Sequence, residues 1–286
     1  MASAWAEASA EARAVLEESV AVLGMDMPGL MRDGPADVLN DTYNQQPALL
    51  VADVAVLRAV AATLEPPAFV AGHSLGEYAA YVAAGALTFA DALRLVRERA
   101  RLMKEAGTRT PGGMAAVLGL DDADVEAVCA TIDGVQVANY NAPGQVVVSG
   151  EAPAVAEACA RLEAAGAKRI IPVRITVAAH SHLMGWAQSA FNDLVDQTAV
   201  RDASVPIVAN VTARPIQRAD DIVAEMRGQL TASVRWAEGI EHMIARGVDA
   251  FYELGPGSVL TGLVKRISRG HPERAIVARA IGEPGA

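Results

Sequence analysis

Gly72-His73-Ser74-Leu75-Gly76, inside FVAGHSLGEYAAYVAAGALTF (residues 69–89), places a serine between two glycines, after a short apolar run and before an alanine-rich one. The run from Ala68 to Ala71 has the length of a buried strand, and the segment after the pentapeptide reads as helix. A strand, a sharp G-x-S-x-G turn and a helix make a nucleophile elbow. Both glycines are expected to let the backbone turn without a Cβ clash, leaving the Ser74 hydroxyl exposed at a helix N-terminus. There the helix dipole and the amide of Leu75 can stabilise a developing oxyanion. The pentapeptide alone is a weak signal in a chain rich in small residues. Its strand and helix give it weight.

Outward from the elbow, the chain reads as α/β. Its 286 residues suffice for one large domain, or for one domain carrying a smaller insertion. Apolar residues make up 52% and charged ones 20%, which excludes disorder, and only 4% are aromatic, which favours closely packed helices over an all-β sandwich. The first 65 residues read as helix, one ending at Gly24 and another stopped by Pro66-Pro67. Between Gly112 and Arg174 a compact alternation follows. MAAVLGL reads as strand, DDADVEAVCATI as helix, VQVANYN and QVVVSG as two strands around Ala142-Pro143-Gly144, PAVAEACARLEAAGA as helix and KRIIPVR as strand. That βαββαβ order is the ferredoxin-like unit. The expected organisation is a larger core over 1–110 and 176–286, with a ferredoxin-like subdomain at 111–175 inserted into it. The core resumes with a strand at 205–211, a helix from Ala219 to Leu230, the strand GVDAFYEL, and a Gly255-Pro256-Gly257 turn into a last helix.

A net charge of −10 argues against a nucleic-acid surface, which needs a basic face. No window of about 18 apolar residues runs uncharged, so no membrane span is expected. The N-terminus has no basic region and carries acidic residues where a signal peptide is apolar, which points to the cytoplasm. Cys129 and Cys159 lack metal-ligand spacing and read as small buried hydrophobes. No metal site is expected.

A serine hydroxyl needs a base. Of the five histidines, His73 lies on the elbow and is expected to point away from Ser74, while His242 and His271 read as surface residues. His180 and His182, in VAAHSHLM, remain, and spacing does not choose between them. The helix TFADALRLVRERARLMKEAG is more decisive. Leu95, Val96, Ala100, Leu102 and Met103 share one face, and Arg94, Arg97, Arg101 and Lys104 gather on the other. Arg99 falls within the apolar face. An inward arginine needs an acidic partner, either an Asp or Glu of the chain or a carboxylate on a substrate, which its planar fork would hold bidentately.

GHSLGEYAAYVAAGALTFADALRLVRERARLM, ANYNAPGQVVVSG, AAHSHLM and YELGPGSVLTGLVKRI, in this order and spacing from about residue 3 to 268, resemble the acyltransferase family of fatty acid and polyketide synthesis, that of malonyl-CoA:acyl carrier protein transacylases. The resemblance implies an α/β-hydrolase-like core with a parallel sheet and a ferredoxin-like insertion. It implies that Ser74 takes a malonyl group from malonyl-CoA and passes it to the phosphopantetheine thiol of an acyl carrier protein, with coenzyme A entering as thioester substrate and no permanently bound cofactor. His180 matches the family's base and Arg99 the arginine that holds the malonyl carboxylate. Gln229 matches the glutamine whose backbone carbonyl orients the histidine, and with Arg99 and His73 it is expected to line the substrate site.

The family normally opens with a strand and a G-Q-G-S-Q loop whose glutamine amide is the second oxyanion donor. This chain lacks both, so one donor and one strand of the sheet are expected to be missing. Ala179, where related enzymes often carry Ser or Phe, leaves room for an acyl group larger than malonyl, as in polyketide-type enzymes that take methylmalonyl. Two other classes use the same features: a serine esterase or thioesterase, which has no use for an inward arginine, and an inactive remnant that only docks the carrier protein. Lys265, Arg266 and Arg269 are the nearest approach to a basic patch for an acidic carrier, or an ordinary helix end favoured by the dipole.

Overall fold

The computed structural model describes residues 1–173 and 177–285; Arg174, the last residue of the expected KRIIPVR strand, lies outside them. Its strands are β1 (Val70–Ala71), β2 (Gly112–Leu118), β3 (Val135–Ala142), β4 (Gln145–Glu151), β5 (Arg169–Val173), β6 (Ile207–Val208), β7 (Pro215–Ile216), β8 (Ala250–Leu254) and β9 (Val277–Ile281). The N-terminal stretch read as one helix is two, Ser3–Ala8 and Ala10–Leu23, because Ser9 is extended and caps the second by accepting the Ala12 N–H at 3.2 Å. Gly24 closes it at φ 65°, a left-handed conformation that glycine adopts freely. The next long helix runs from Thr42 to Val60 and ends before the two prolines.

The core sheet is built from parallel pairs in two pieces. β1 pairs with β6 in parallel and β6 with β7 antiparallel, while β8 and β9 form a separate parallel pair. The strand expected over 205–211 contributes only Ile207 and Val208 to the ladder, because Asn210 turns its backbone N–H to Glu77 and its side chain to the elbow. β9 has no counterpart in the sequence reading, nor does the helix Gly185–Gln197.

The four-stranded sheet has order β3-β4-β2-β5 with every neighbouring pair antiparallel, and the helices Asp122–Cys129 and Ala152–Ala164 complete the βαββαβ order. It has its own apolar core of Val125, Cys129, Val146, Val148, Ala158 and Leu162. Burial pushes the Cys129 thiol up to about 11 and Cys159 in the same direction, so both act as apolar filler. Hydrogen bonds tie this unit to the rest. Tyr140 N–H donates to Val234 C=O at 2.9 Å and Val234 N–H to Ala138 C=O at 2.8 Å. Arg266 donates to the carbonyls of Pro143 and Gly144, so this member of the expected basic patch is spent on the β3–β4 turn.

At the elbow the two glycines are not equivalent. A Cβ on Gly72 would lie 2.0 Å from the backbone of Gly76, whereas one on Gly76 would meet nothing within 4 Å. The tight approach therefore requires the first glycine only. The left-handed residue is Ser74 itself, at φ 51°. Gly72→Ala is expected to cost at least about 1–3 kcal/mol, as overpacking does. Gly76→Ala, in the first turn of a helix, is expected to be neutral or stabilising by about 0.5–1 kcal/mol. Urea unfolding of the two variants checks this, and equal destabilisation would contradict it.

Candidate active site

Ser74 ends the β1 turn one residue before Leu75 and two before the helix Gly76–Ala83. Its N–H is taken by Asn210 Oδ1 at 2.7 Å, so that amide is not free to hold an oxyanion. Among the described residues the Leu75 N–H donates to no protein acceptor, which leaves the expected donor free.

The Ser74 hydroxyl meets His180 Nε2 at 2.7 Å. On the other side of the ring, Nδ1 faces the backbone carbonyls of Gln229 at 2.9 Å and Ala232 at 3.1 Å. Carbonyls only accept, so Nδ1 carries the proton and Nε2 is the basic nitrogen. Burial, and after it the charge of Arg99, push the His180 pKa down to about 3, against the carbonyl bond from Gln229 that favours the charged form. The imidazole is therefore held neutral. His182 lies elsewhere, half exposed, with Nε2 3.9 Å from Glu151. Geometry thus separates the two histidines that spacing left together.

Arg99 is 1% exposed and none of its hydrogen-bond partners is an acid. Nη1 donates to Gln46 Oε1 at 2.5 Å, and Nη2 to Ser74 Oγ and Gln229 Oε1, both at 3.0 Å, while Nε has no acceptor. An internal Asp or Glu is not its partner. Gln46 escaped the sequence reading although its signal is the one that exposed Arg99. Gln46, Leu50 and Val54 stand four apart on the buried face of Thr42–Val60, so a polar residue interrupts an apolar stripe there too.

Gln229 does more than orient the histidine. Its side-chain amide donates to Ser74 C=O at 3.0 Å and to Glu77 Oε2, and its Oε1 accepts from Arg99. Glu77 is fully buried and also accepts the Asn210 N–H at 2.9 Å; Glu225, close by, accepts the Val211 N–H at 2.8 Å. Burial raises the pKa of both acids, and their mutual repulsion raises Glu77 further. The sequence reading named neither acid, nor Asn210, because a polar residue at a strand end or in a first helical turn is ordinary until its burial is known.

His73 is engaged by Asn141 Oδ1, 2.8 Å from its Nε2, and packs 5.6 Å from the Trp236 ring. His242 is not the surface residue expected: its ring is covered by Arg214 and Arg246, which both donate to Nδ1. His271 is partly buried against Glu241. Among the described residues no group of three His, Cys, Asp or Glu is placed to hold a metal ion, and no helix is long and apolar enough to cross a membrane.

A serine, a neutral imidazole set by backbone carbonyls, a free amide and an unpaired guanidinium together suit acyl transfer. The family model described as acyl transferase domain matches residues 2–283. The malonyl CoA-acyl carrier protein transacylase of Escherichia coli (strain K12) is 42% identical over 273 residues, which are 94% of this chain and 87% of that protein. The Bacillus subtilis (strain 168) protein of the same name is 42% identical over 262 residues, 90% of this chain and 83% of that one. Among solved structures, an acyl carrier protein S-malonyltransferase from Vibrio cholerae O1 biovar eltor superposes with TM-score 0.94 at 38% identity, covering 99% of this chain and 92% of that one. A malonyl-transacylase in complex with its type II polyketide synthase acyl-carrier protein also reaches 0.94, at 37% identity, covering 99% and 91%. With a family match over almost its whole length and relatives of this identity and coverage, the chain belongs to the acyl transferase family.

Proposed function

We propose that this chain moves a malonyl group from malonyl-CoA to the phosphopantetheine thiol of an acyl carrier protein, through an ester on Ser74. The observation that carries this reading is Arg99, a buried guanidinium with neutral partners only, one idle nitrogen, and contact with the serine. A buried cation in that position favours an acyl group that brings its own carboxylate. The names of the relatives and of the solved structures agree with it.

The chemistry is ping-pong. His180 Nε2 takes the Ser74 proton as Oγ attacks the thioester carbonyl, the oxyanion faces the Leu75 amide, and the C–S bond breaks as His180 returns the proton to the sulfur of coenzyme A. The carrier thiol then gives its proton to His180 and attacks the ester carbonyl, and the C–Oγ bond breaks as His180 returns that proton to Ser74 Oγ. The base supplies about 10²–10⁴-fold and one oxyanion donor about 10²–10³-fold. Coenzyme A enters as the thioester substrate. In this reading 111–175 is the inserted ferredoxin-like subdomain and 1–110 with 176–286 the core, the acyl group lying between them. Ala179, half-buried, packs against apolar clusters of both, where its small side chain bears on acyl size. An esterase would have no use for Arg99, and a docking remnant none for a 2.7 Å serine–histidine pair.

Brief incubation with malonyl-CoA is expected to add a malonyl-sized mass to the intact protein and none to Ser74→Ala. Arg99→Ala is expected to slow malonyl loading by about 10²–10³-fold, as breaking a buried charge pair does, and acetyl loading from acetyl-CoA far less. Equal losses for both acyl groups would assign Arg99 to the serine instead of the carboxylate. Because His180 is lost as a base only as pH falls through about 3, kcat/KM for malonyl-CoA, which reports the free enzyme, is expected to show no tenfold fall per unit with an apparent pKa near the ordinary histidine value between pH 6.5 and 5. A tenfold fall per unit below about 6.5, the ordinary histidine value, would contradict the neutral, buried base.

A further inference from the structure

Ser74 and His180 share an unfavourable backbone. Ser74 stands at φ 51° and His180 at φ 57°, both in the left-handed region that non-glycine residues adopt only when their surroundings impose it. In each case a side-chain amide supplies that constraint in the same pattern, bonding the carbonyl of one residue and the N–H two residues later. Asn210 Nδ2 donates to Gly72 C=O at 2.7 Å while its Oδ1 accepts Ser74 N–H at 2.7 Å. Gln136 Nε2 donates to His180 C=O at 3.2 Å while its Oε1 accepts His182 N–H at 3.1 Å.

Both amides are themselves held. Asn210 is 4% exposed, and its backbone N–H is fixed by Glu77, which also binds the Gln229 side chain. Gln136 sits on β3 and also donates to Thr231 C=O at 3.3 Å, inside the 229–232 segment whose carbonyls hold His180 Nδ1. One brace therefore belongs to the core strand β6 and its continuation, the other to the four-stranded sheet. They approach the serine–histidine pair from opposite elements.

We propose that Asn210 and Gln136 are positioning residues for acyl transfer, two amide braces that keep Ser74 Oγ and His180 Nε2 within 2.7 Å by fixing the strained backbone under each. The proposal rests on the reading of Ser74 and His180 as nucleophile and base. Without its brace a left-handed residue relaxes to the right-handed or extended regions and carries its side chain with it. A displacement of 1 Å at a reacting group costs on the order of 10²-fold in rate. Both amides bond backbone groups and neither bonds Ser74 Oγ or Arg99, so the loss falls on the chemical step and not on substrate affinity.

The test is single-turnover loading by malonyl-CoA, followed by intact mass over a range of substrate concentrations, on the whole chain and on Asn210→Ala, Gln136→Ala and Gln136→Met. The methionine keeps the length and volume of the glutamine and removes only its hydrogen bonds. The expected result is a maximal loading rate about 10²-fold lower in each variant, with the half-saturating concentration within threefold of the parent. If Asn210→Ala does not melt cooperatively, Asn210→Asp replaces it, filling the same volume and keeping the acceptor for Ser74 N–H while losing the amide donor to Gly72. Loading at the parent rate by any folded variant overturns that brace, as does a loss confined to half-saturation. A parent chain that malonyl-CoA does not load defeats the catalytic reading and this proposal with it. A loaded parent beside unimpaired variants defeats the braces alone.

Discussion

A full positive charge is buried at Arg99 without an acid to neutralise it, and much of the site is arranged around that condition. Burying an unpaired ion is among the costliest things a fold can do. Here three neutral oxygens, from Gln46, Gln229 and Ser74, share the guanidinium, and Nε is left over. The same charge helps hold His180 neutral.

A buried acid, Glu77, lies close to this cation without forming an ion pair with it, and Gln229 explains how. Its Oε1 accepts from Arg99 while its Nε2 donates to Glu77, so one planar amide stands between the guanidinium and the carboxyl group. A direct Arg99–Glu77 pair would neutralise the site and remove any reason for a carboxylated substrate to enter. The amide keeps both groups hydrogen-bonded and the cation available. The backbone carbonyl of the same residue holds His180 Nδ1. Gln229 thus couples the pocket's charge to the tautomer of its base, which explains a buried polar residue at the end of an otherwise amphipathic helix, Ala219–Gly228.

What could be read from the sequence follows the range of the interaction involved. The elbow, the βαββαβ alternation and the inward Arg99 are local or periodic features, and a period of two or 3.6 residues shows in the residues themselves. Gln46 was legible by the same test and went unread. Asn210 and Gln136 were not legible: each lies in a segment whose apolar pattern reads as strand, and the chain gives no indication that one amide in it will meet a peptide some 45 to 140 residues away. The choice of His180 over His182 is of this kind too, since it depends on the carbonyls of Gln229 and Ala232. So is β9, whose pairing with β8 is a long-range ladder at the end of the chain. The motif treats its two glycines alike, while the actual approach of Gly72 to the next turn requires only one.

The four-stranded sheet shapes this site through contacts at its edge strand. β3 exchanges hydrogen bonds with Val234 through Ala138 and Tyr140, so the segment carrying Gln229 and Ala232 is aligned along that strand. From the same strand Gln136 reaches the histidine loop and Asn141 reaches His73 beside the nucleophile. A shift of this sheet relative to the core would therefore move the carbonyls behind His180, the loop that carries it and the neighbour of Ser74 together. Accommodating acyl groups of different size by opening this junction would disturb the base at the same time.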